Sequence, residues 1–314
     1  MGNLPFENLK REIITLFDEK QTPVSEQPIK ELLNTGIIII DKPAGPTSHQ
    51  VSDQVKRILK IKKAGHSGTL DPNVTGILPV ALDNGTKVIQ ALLNAGKEYI
   101  CIMHVHEDIP EDKLKEVIMS FQGKITQLPP VKSAVKRQER IRHVYYIEIL
   151  EIKDRDVFFK VGCQGGTYIR KLCSDIGEKL GCGAHMSQLR RTKAGPFKED
   201  QIHTLHDLAD AYHAYKNGDE SLLRNVILPQ EAGIDHLPKI WVKDSSVKTI
   251  CHGAQLKMPG IARFETKIKK DEMVAVLDST NKLVLLGNAQ FTSKELSKKK
   301  QGTAVKTLRV FKII

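Results

Sequence analysis

Several familiar signatures are missing from this chain, and each absence removes a class of function. No apolar run approaches the roughly 20 residues of a membrane-spanning helix, and the opening MGNLPFENLK lacks the basic-then-apolar order of a secretory signal. Both point to a cytoplasmic protein. The cysteines, Cys101, Cys163, Cys173, Cys182 and Cys251, are odd in number, scattered, and form no Cys-x-x-Cys pair. That argues against a disulfide framework and against a zinc ribbon, and predicts reduced, buried thiols. No Gly-x-x-x-x-Gly-Lys-Ser/Thr occurs, and the glycine pair of QGGTYIR has neither the P-loop lysine nor the dinucleotide spacing, so no nucleotide cofactor is expected. The 11 histidines include no His-Glu-x-x-His, and there is no Gly-x-Ser-x-Gly elbow. His104 and His106 stand two apart in an expected strand and could both reach one metal. With no third ligand beside them in sequence, a metal site is not predicted.

What the chain does have is positive charge. Its net charge is +11 over 314 residues with 40% hydrophobic content, enough for one large domain or two ordinary ones. From Lys239 onward, 16 Lys and Arg face 6 Asp and Glu, so nearly all the excess sits in the last quarter. A second concentration, SAVKRQERIRH, sets Lys136, Arg137, Arg140 and Arg142 against Glu139 alone. A charge run can be a solvated face and nothing more. Two separated runs suit a long polyanion better than a small ligand, which makes nucleic acid the leading partner.

The hydrophobic pattern reads as α+β around a mostly antiparallel sheet. After a polar lead-in over residues 1–36, GIIII predicts a buried strand. HQVSDQVKRILK then predicts a helix from the spacing of Val51, Val55, Ile58 and Leu59, with Ser48 as N-cap. Strands are expected at 76–82, 97–106, 144–152 and 156–163, and helices at 111–121 and 167–180, with two more between 202 and 227. Beyond LPQEAGIDHLPK a helix-like DSSVKTICHG precedes three strand-like runs, which together describe a small, basic, mostly β module.

The chemistry candidates lie on turns. In GHSGTLDP, two glycines and Pro72 make a rigid turn that fixes where the Asp71 carboxylate points, although an Asp-Pro turn can also bond only its own backbone. QGGTYIRKL places Arg170 near the start of a helix. Held against a buried Asp71, it would keep that carboxylate ionised and fix its rotamer, as a nucleophile or base requires. Tyr99, in the strand KEYICIMH, offers a ring that could stack on a base or simply pack.

GIIIIDKPAGPTSHQV, GHSGTLDPNVTGILPV, KEYICIMHVH, QLPPVKSAVKRQERIR, GGTYIRKLCSDIG and GAHMSQLRRTKAGPF together resemble the TruB-type pseudouridine synthases. Within them the chain is most similar to the dyskerin-like catalytic subunits of H/ACA ribonucleoproteins, from about residue 30 to the end, and CHGAQLKMPGI resembles a PUA domain. The resemblance implies an N-terminal extension over 1–36 packing on the PUA domain, a catalytic domain over 37–236 with a thumb loop at about 128–146, and a PUA domain over 237–314. It implies isomerisation of uridine in RNA without a cofactor or a metal. Asp71 matches the catalytic aspartate, as nucleophile or base, Arg170 its partner, Tyr99 the stacking tyrosine and Leu189 the residue closing the pocket. His66 matches the motif histidine at the RNA surface, and Lys42 and Pro43 a buttress beneath. Lys132, Lys136, Arg137, Arg140 and Arg142 fall in the thumb, and Gly253, Ala254, Pro259, Gly260 and Ile261 at the guide-RNA contact. Implied partners are an H/ACA guide RNA, substrate RNA, a small zinc-binding nucleolar-type protein, a Gly-Arg-protein homologue and a kink-turn-binding ribosomal-type protein. Unguided action on the T-arm uridine of tRNA is the alternative, and either way a chain ending at residue 238 is expected to keep its catalytic half folded.

Overall fold

The computed structural model describes residues 2–18, 26–129 and 138–311. Among these, two sheets carry the architecture. In the larger, ten-stranded sheet the path runs Ile227–Leu228, Ile37–Lys42, Thr75–Leu82, Ala184–Ala194, Lys97–Val105, Asp156–Cys163, Arg140–Lys153 and Gly123–Gln127. Ala64–His66 and Phe197–Lys198 pair beside that path. The pairing is antiparallel except at the middle, where Thr75–Leu82 meets Ala184–Ala194 in parallel through Thr75↔Arg190 and Gly76↔Arg191. Gly76 sits there with φ +101°, and a Cβ would lie 2.2 Å from the Arg191 carbonyl oxygen. Only glycine permits that approach.

Helices cover the sheet where the sequence supplies apolar stripes. Leu172, Cys173 and Ile176 of Ile169–Leu180, with Leu114 and Ile118 of Glu111–Met119, pack on Cys101, Met103, Phe159 and Val161. Val51, Val55 and Leu59 of Ser48–Leu59, with Leu208 and Ala211 of Leu205–Lys216, pack on Ile38, Ile40, Leu78 and Val80. The N-cap is Thr47 rather than Ser48, closed by a capping box with Gln50. Ser48 is the first helical residue, and its hydroxyl is engaged elsewhere.

Ala184–Ala194, AHMSQLRRTKA, is too polar for its pattern to predict a strand. It forms one because Lys97–Val105 bonds along nearly its whole length, from Lys97↔Ala194 to Val105↔Ala184. The strand Arg140–Lys153 also starts earlier than expected, and its first residues pair with Gly123–Gln127. Arg140 and Arg142 therefore lie on a strand and not in a loop, and Arg142 is tied to the Gly166 carbonyl by Nε at 3.1 Å. Lys132, Lys136 and Arg137 lie outside the described residues. None of the five cysteines forms a disulfide among the described residues. Cys101, Cys163 and Cys173 are buried as expected, while Cys182 and Cys251 are only partly so.

The second, seven-stranded sheet runs Ile13–Thr15, Ile261–Glu265, Lys239–Val242, Met273–Leu277, Leu283–Ala289, Thr303–Val310 and Leu256–Lys257. Its outer strand comes from the polar lead-in, paired as Ile13↔Glu265 to Thr15↔Arg263. The two sheets share apolar contacts: Trp241, Ala275, Leu277 and Leu286 pack in one cluster with Ile37, Ile39, Ile77 and Phe197. That cluster argues against an independently folded catalytic half, because ending the chain at residue 238 would strip one side of it. Such a truncation should unfold well below the full chain in a thermal melt, and the full chain should melt in one transition. Two separated transitions, with the truncation reproducing the first, would contradict the shared core.

His236 sits in the same seam, 8% exposed, with Phe6 edge-on at 5.8 Å and Nε2 donating to the Ala91 carbonyl at 3.1 Å. Burial pulls its pKa down to about 4. Above the ordinary value of 6.5 both folded and unfolded chains hold it neutral; between 6.5 and about 4 only the unfolded chain takes up the proton. Stability should therefore fall as pH drops through that window, by up to about 3 kcal/mol from this residue. Chemical denaturation at stepped pH checks it, and a His236→Asn variant should lose most of the slope.

Candidate active site

The Asp71 loop is held from beneath by a buried lysine. Lys42 ends the strand Ile37–Lys42, is fully buried, and donates its three ammonium protons to the carbonyls of Pro43, Pro72 and Val74 at 2.8, 2.8 and 2.9 Å. Two of those carbonyls follow Asp71 directly in the loop. Burial lowers the Lys42 pKa, and the charge of Asp71 opposes that shift. The Ser48 hydroxyl completes the clamp, donating to the Leu70 carbonyl at 3.0 Å and accepting from the Leu70 amide at 2.8 Å. Gly45 adds a backbone bond to Pro72. The residues before and after Asp71 thus have fixed backbones, and the carboxylate stands on a rigid base.

Asp71 is paired with Arg170, the second residue of the helix Ile169–Leu180. This is the pairing expected from sequence, but not the expected burial: the side chains are 51% and 55% exposed. The pair forms an open rim. Below it lies an apolar floor in which Leu70, Val74, Tyr99 and Ile169 are buried together and Leu189 is partly buried. Tyr99 is 8% exposed, so its ring packs within this floor instead of presenting a free face. Burial raises its pKa, while the neighbouring Arg191 acts the other way.

Arg191 and Lys97 were not legible as site residues. Arg191 is fully buried, with Nε donating to the Ile77 carbonyl at 2.7 Å and Nη2 to the Gly68 carbonyl at 3.0 Å, so it anchors the other end of the GHSGTLDP turn. Lys97 donates to the carbonyls of Leu92, Leu93 and Ala95, and its pKa falls to about 7, chiefly through burial and then through the charge of Arg191. The one available signal was the cluster of cations in an otherwise β-patterned region. His66 is partly buried, with Nδ1 3.0 Å from the Ser52 hydroxyl and Nε2 3.3 Å from that of Thr69, and burial lowers its pKa. Pro43 is exposed at the edge of the clamp. The candidate residues of the second sheet lie apart from this site. Gly253, Ala254 and Pro259 are exposed there, whereas the Ile261 side chain belongs to that sheet's core, 1% exposed.

The clamp and the rim differ in kind, and the difference can be measured. Lys42→Met leaves three carbonyls without their donor at a cost of about 1–3 kcal/mol each where they stay buried, so this variant should be markedly destabilised. Arg170→Ala breaks an exposed pair worth about 0–1 kcal/mol and should melt near the parent. Equal melting of the two variants would refute the division.

Comparisons with known proteins cover the whole site. Family profiles match in chain order: the DKCLD (NUC011) domain at residues 8–52, the TruB family pseudouridylate synthase N-terminal domain at 56–169, the tRNA pseudouridylate synthase B C-terminal domain at 170–235, and a PUA domain at 238–311. "Probable tRNA pseudouridine synthase B" of Pyrococcus abyssi is 51% identical over 312 residues, covering 97% of this chain and 93% of that one. The protein of the same name from Methanopyrus kandleri is 52% identical over 313 residues, covering 98% and 92%. Among solved structures, a chain in a Cbf5–Nop10–Gar1 complex superposes with a TM-score of 0.94 at 50% identity, covering 99% of this chain and 97% of that one. A chain in an H/ACA RNP bound to a substrate RNA containing 2'-deoxyuridine gives 0.90 at 47% identity, with the same coverage.

Proposed function

This chain belongs to the TruB family of pseudouridine synthases, RNA isomerases, and from that premise we propose that it is the RNA-guided catalytic subunit of an H/ACA ribonucleoprotein, with Asp71, Arg170 and Tyr99 as its catalytic group. The observation that carries the assignment is the Asp71–Arg170 pair on a clamped loop above an apolar floor. Isomerisation breaks the bond from ribose C1' to base N1, turns the base, and joins C1' to C5, with one proton leaving C5 and one arriving at N1. The carboxylate attacks or deprotonates the ribose, and Arg170 holds it in orientation. The uridine must leave its stack for the carboxylate to reach it. Once flipped, it rests against the floor formed by Tyr99 and Leu189, with His66 and Thr69 at the edge.

The chain divides, on this reading, into an N-terminal extension over 1–36, a catalytic domain over 37–236 and a PUA domain over 237–314. The PUA domain holds guide RNA at the turn of Gly253 and Ala254 and at Pro259 and Gly260, where small residues admit close backbone approach. Ile261 contributes only its backbone. Arg140 and Arg142, at the base of the thumb, face the substrate strand. The match to a chain complexed with Nop10 and Gar1 supports partners of those two kinds, the small zinc-binding and the Gly-Arg-protein homologues, and the work is cytoplasmic. The relatives named for tRNA support a second substrate, the T-arm uridine.

Asp71→Asn keeps the shape of the side chain and removes its ability to act as nucleophile or base. It should abolish tritium release from C5-labelled uridine while guide-RNA affinity, set by the basic surfaces, stays within about twofold of the parent. Release by the parent should depend on a matching guide for ribosomal targets and not for a tRNA stem-loop. Substantial release by the variant would remove Asp71 from the chemistry, and guide-independent release on every substrate would remove the guided reading.

A further inference from the structure

Histidines 104 and 106 find in the fold the third partner that the sequence did not show. Strand period two puts both on one face of Lys97–Val105 or its immediate continuation. His185, at the start of Ala184–Ala194, is the register partner of His104. The rings of His104 and His185 are 5.4 Å apart between centroids, and those of His106 and His185 5.2 Å. The cluster lies five residues along the strand from Tyr99, about 17 Å away, so the uridine site does not account for it.

We propose that His104, His106 and His185 form a surface site for a transition-metal dication of the zinc class. His106 Nε2 and His185 Nδ1 are hydrogen-bonded at 2.9 Å, and a metal would replace the shared proton with little change in their separation, since two nitrogens each binding one metal at ~2.0–2.1 Å lie about 2.9–3.4 Å apart. His106 is seated for this role: its Nδ1 packs against Gly183, where an added Cβ would lie 2.8 Å away. His104 is oriented by a carboxylate, its Nδ1 lying 2.7 Å from Asp156. The proton on Nδ1 leaves the lone pair on Nε2, as in carboxylate–histidine–metal triads. Among the described residues no group of three His, Cys, Asp or Glu stands in metal-holding geometry, so the site closes only on a turn of the exposed His104 ring toward the other two. Arg155 is bound through Nε and Nη2 to Asp108 at 2.7 and 3.1 Å and through Nη1 to the His106 carbonyl. Glu107, Asp108 and Asp156 leave the surroundings acidic. Open positions on the metal go to water.

The test uses the full chain, freed of metal by chelation, with Zn²⁺ as probe in calorimetry and thermal melts and Co²⁺ as spectroscopic probe. The parent should bind one equivalent of Zn²⁺ and melt higher with it. His185→Ala and His106→Ala should each abolish both effects, and Asp156→Ala should weaken binding by about 10–100-fold. Bound Co²⁺ should show visible ligand-field bands without the charge-transfer absorption of a thiolate. Equal Zn²⁺ uptake by the parent and the His106→Ala/His185→Ala double variant overturns the proposal, as does a thiolate band, which would place the metal on a cysteine.

Discussion

One ammonium group determines where the chemistry can happen. Lys42 brings a charge into the interior, which is costly in itself, and offsets it with three carbonyl acceptors. Because an ammonium has three protons and no acceptor, it can gather carbonyls from segments that would otherwise repel one another's dipoles. It thereby ties the end of one strand to the segment after Asp71, while Ser48 holds Leu70 before it. Arg191 repeats the device on the far side through Ile77 and Gly68. The two cations are fully buried because their work is structural, and the loop between them has little freedom left to lose.

Most of the fold was legible in the sequence wherever a periodic apolar pattern met a one-sided environment. Ile37–Lys42, Thr75–Leu82, Asp156–Cys163 and the helices with Val51, Leu114 and Leu172 have such stripes. Ala184–Ala194 has none, since a strand whose hydrogen bonds come from long-range partners can carry polar residues in most positions. That strand holds Leu189, Arg190, Arg191 and His185, and so much of the site's surroundings was hidden with it. The site itself was half legible. Asp71 and Arg170 stood out because turn residues restrict where a side chain points, and the family resemblance paired them across 99 residues of chain. Lys42 was named as a buttress by resemblance alone, while the three-carbonyl geometry belongs to the fold. Nothing in KEYICIMH distinguishes a tyrosine that faces a substrate from one that packs.

The lead-in and the C-terminal module show how topology makes one body from segments that composition separates. Ile13–Thr15 extends the second sheet, which caps an edge that would otherwise be open to another chain. Phe6 reaches His236, and Glu7 pairs with Lys193 at 3.0 Å. The same short stretch therefore touches both sheets. The charge asymmetry along the sequence, read as a boundary, does not coincide with a break in packing. The basic surface belongs to the second sheet, and the apolar side of that sheet belongs to the first.

The exposure of the proposed catalytic pair is in keeping with the size of an RNA substrate. At a solvent-facing rim the effective dielectric is high, and a close charge pair is worth little in stability. That is an advantage while the enzyme waits, because the pair does not have to be desolvated by the protein alone. On the proposed reading, a flipped uridine and its flanking strand would cover Asp71 and Arg170 from above, while the floor of Leu70, Tyr99 and Leu189 lies buried below. The same two charges then interact in a drier medium, where each electrostatic contact is several times stronger. Strength reserved for the covered state acts on the reaction and not on folding. A clamp built from buried cations and a rim left open to RNA are consequently two parts of one requirement: the carboxylate must be fixed in position before the substrate arrives, and sheltered only after.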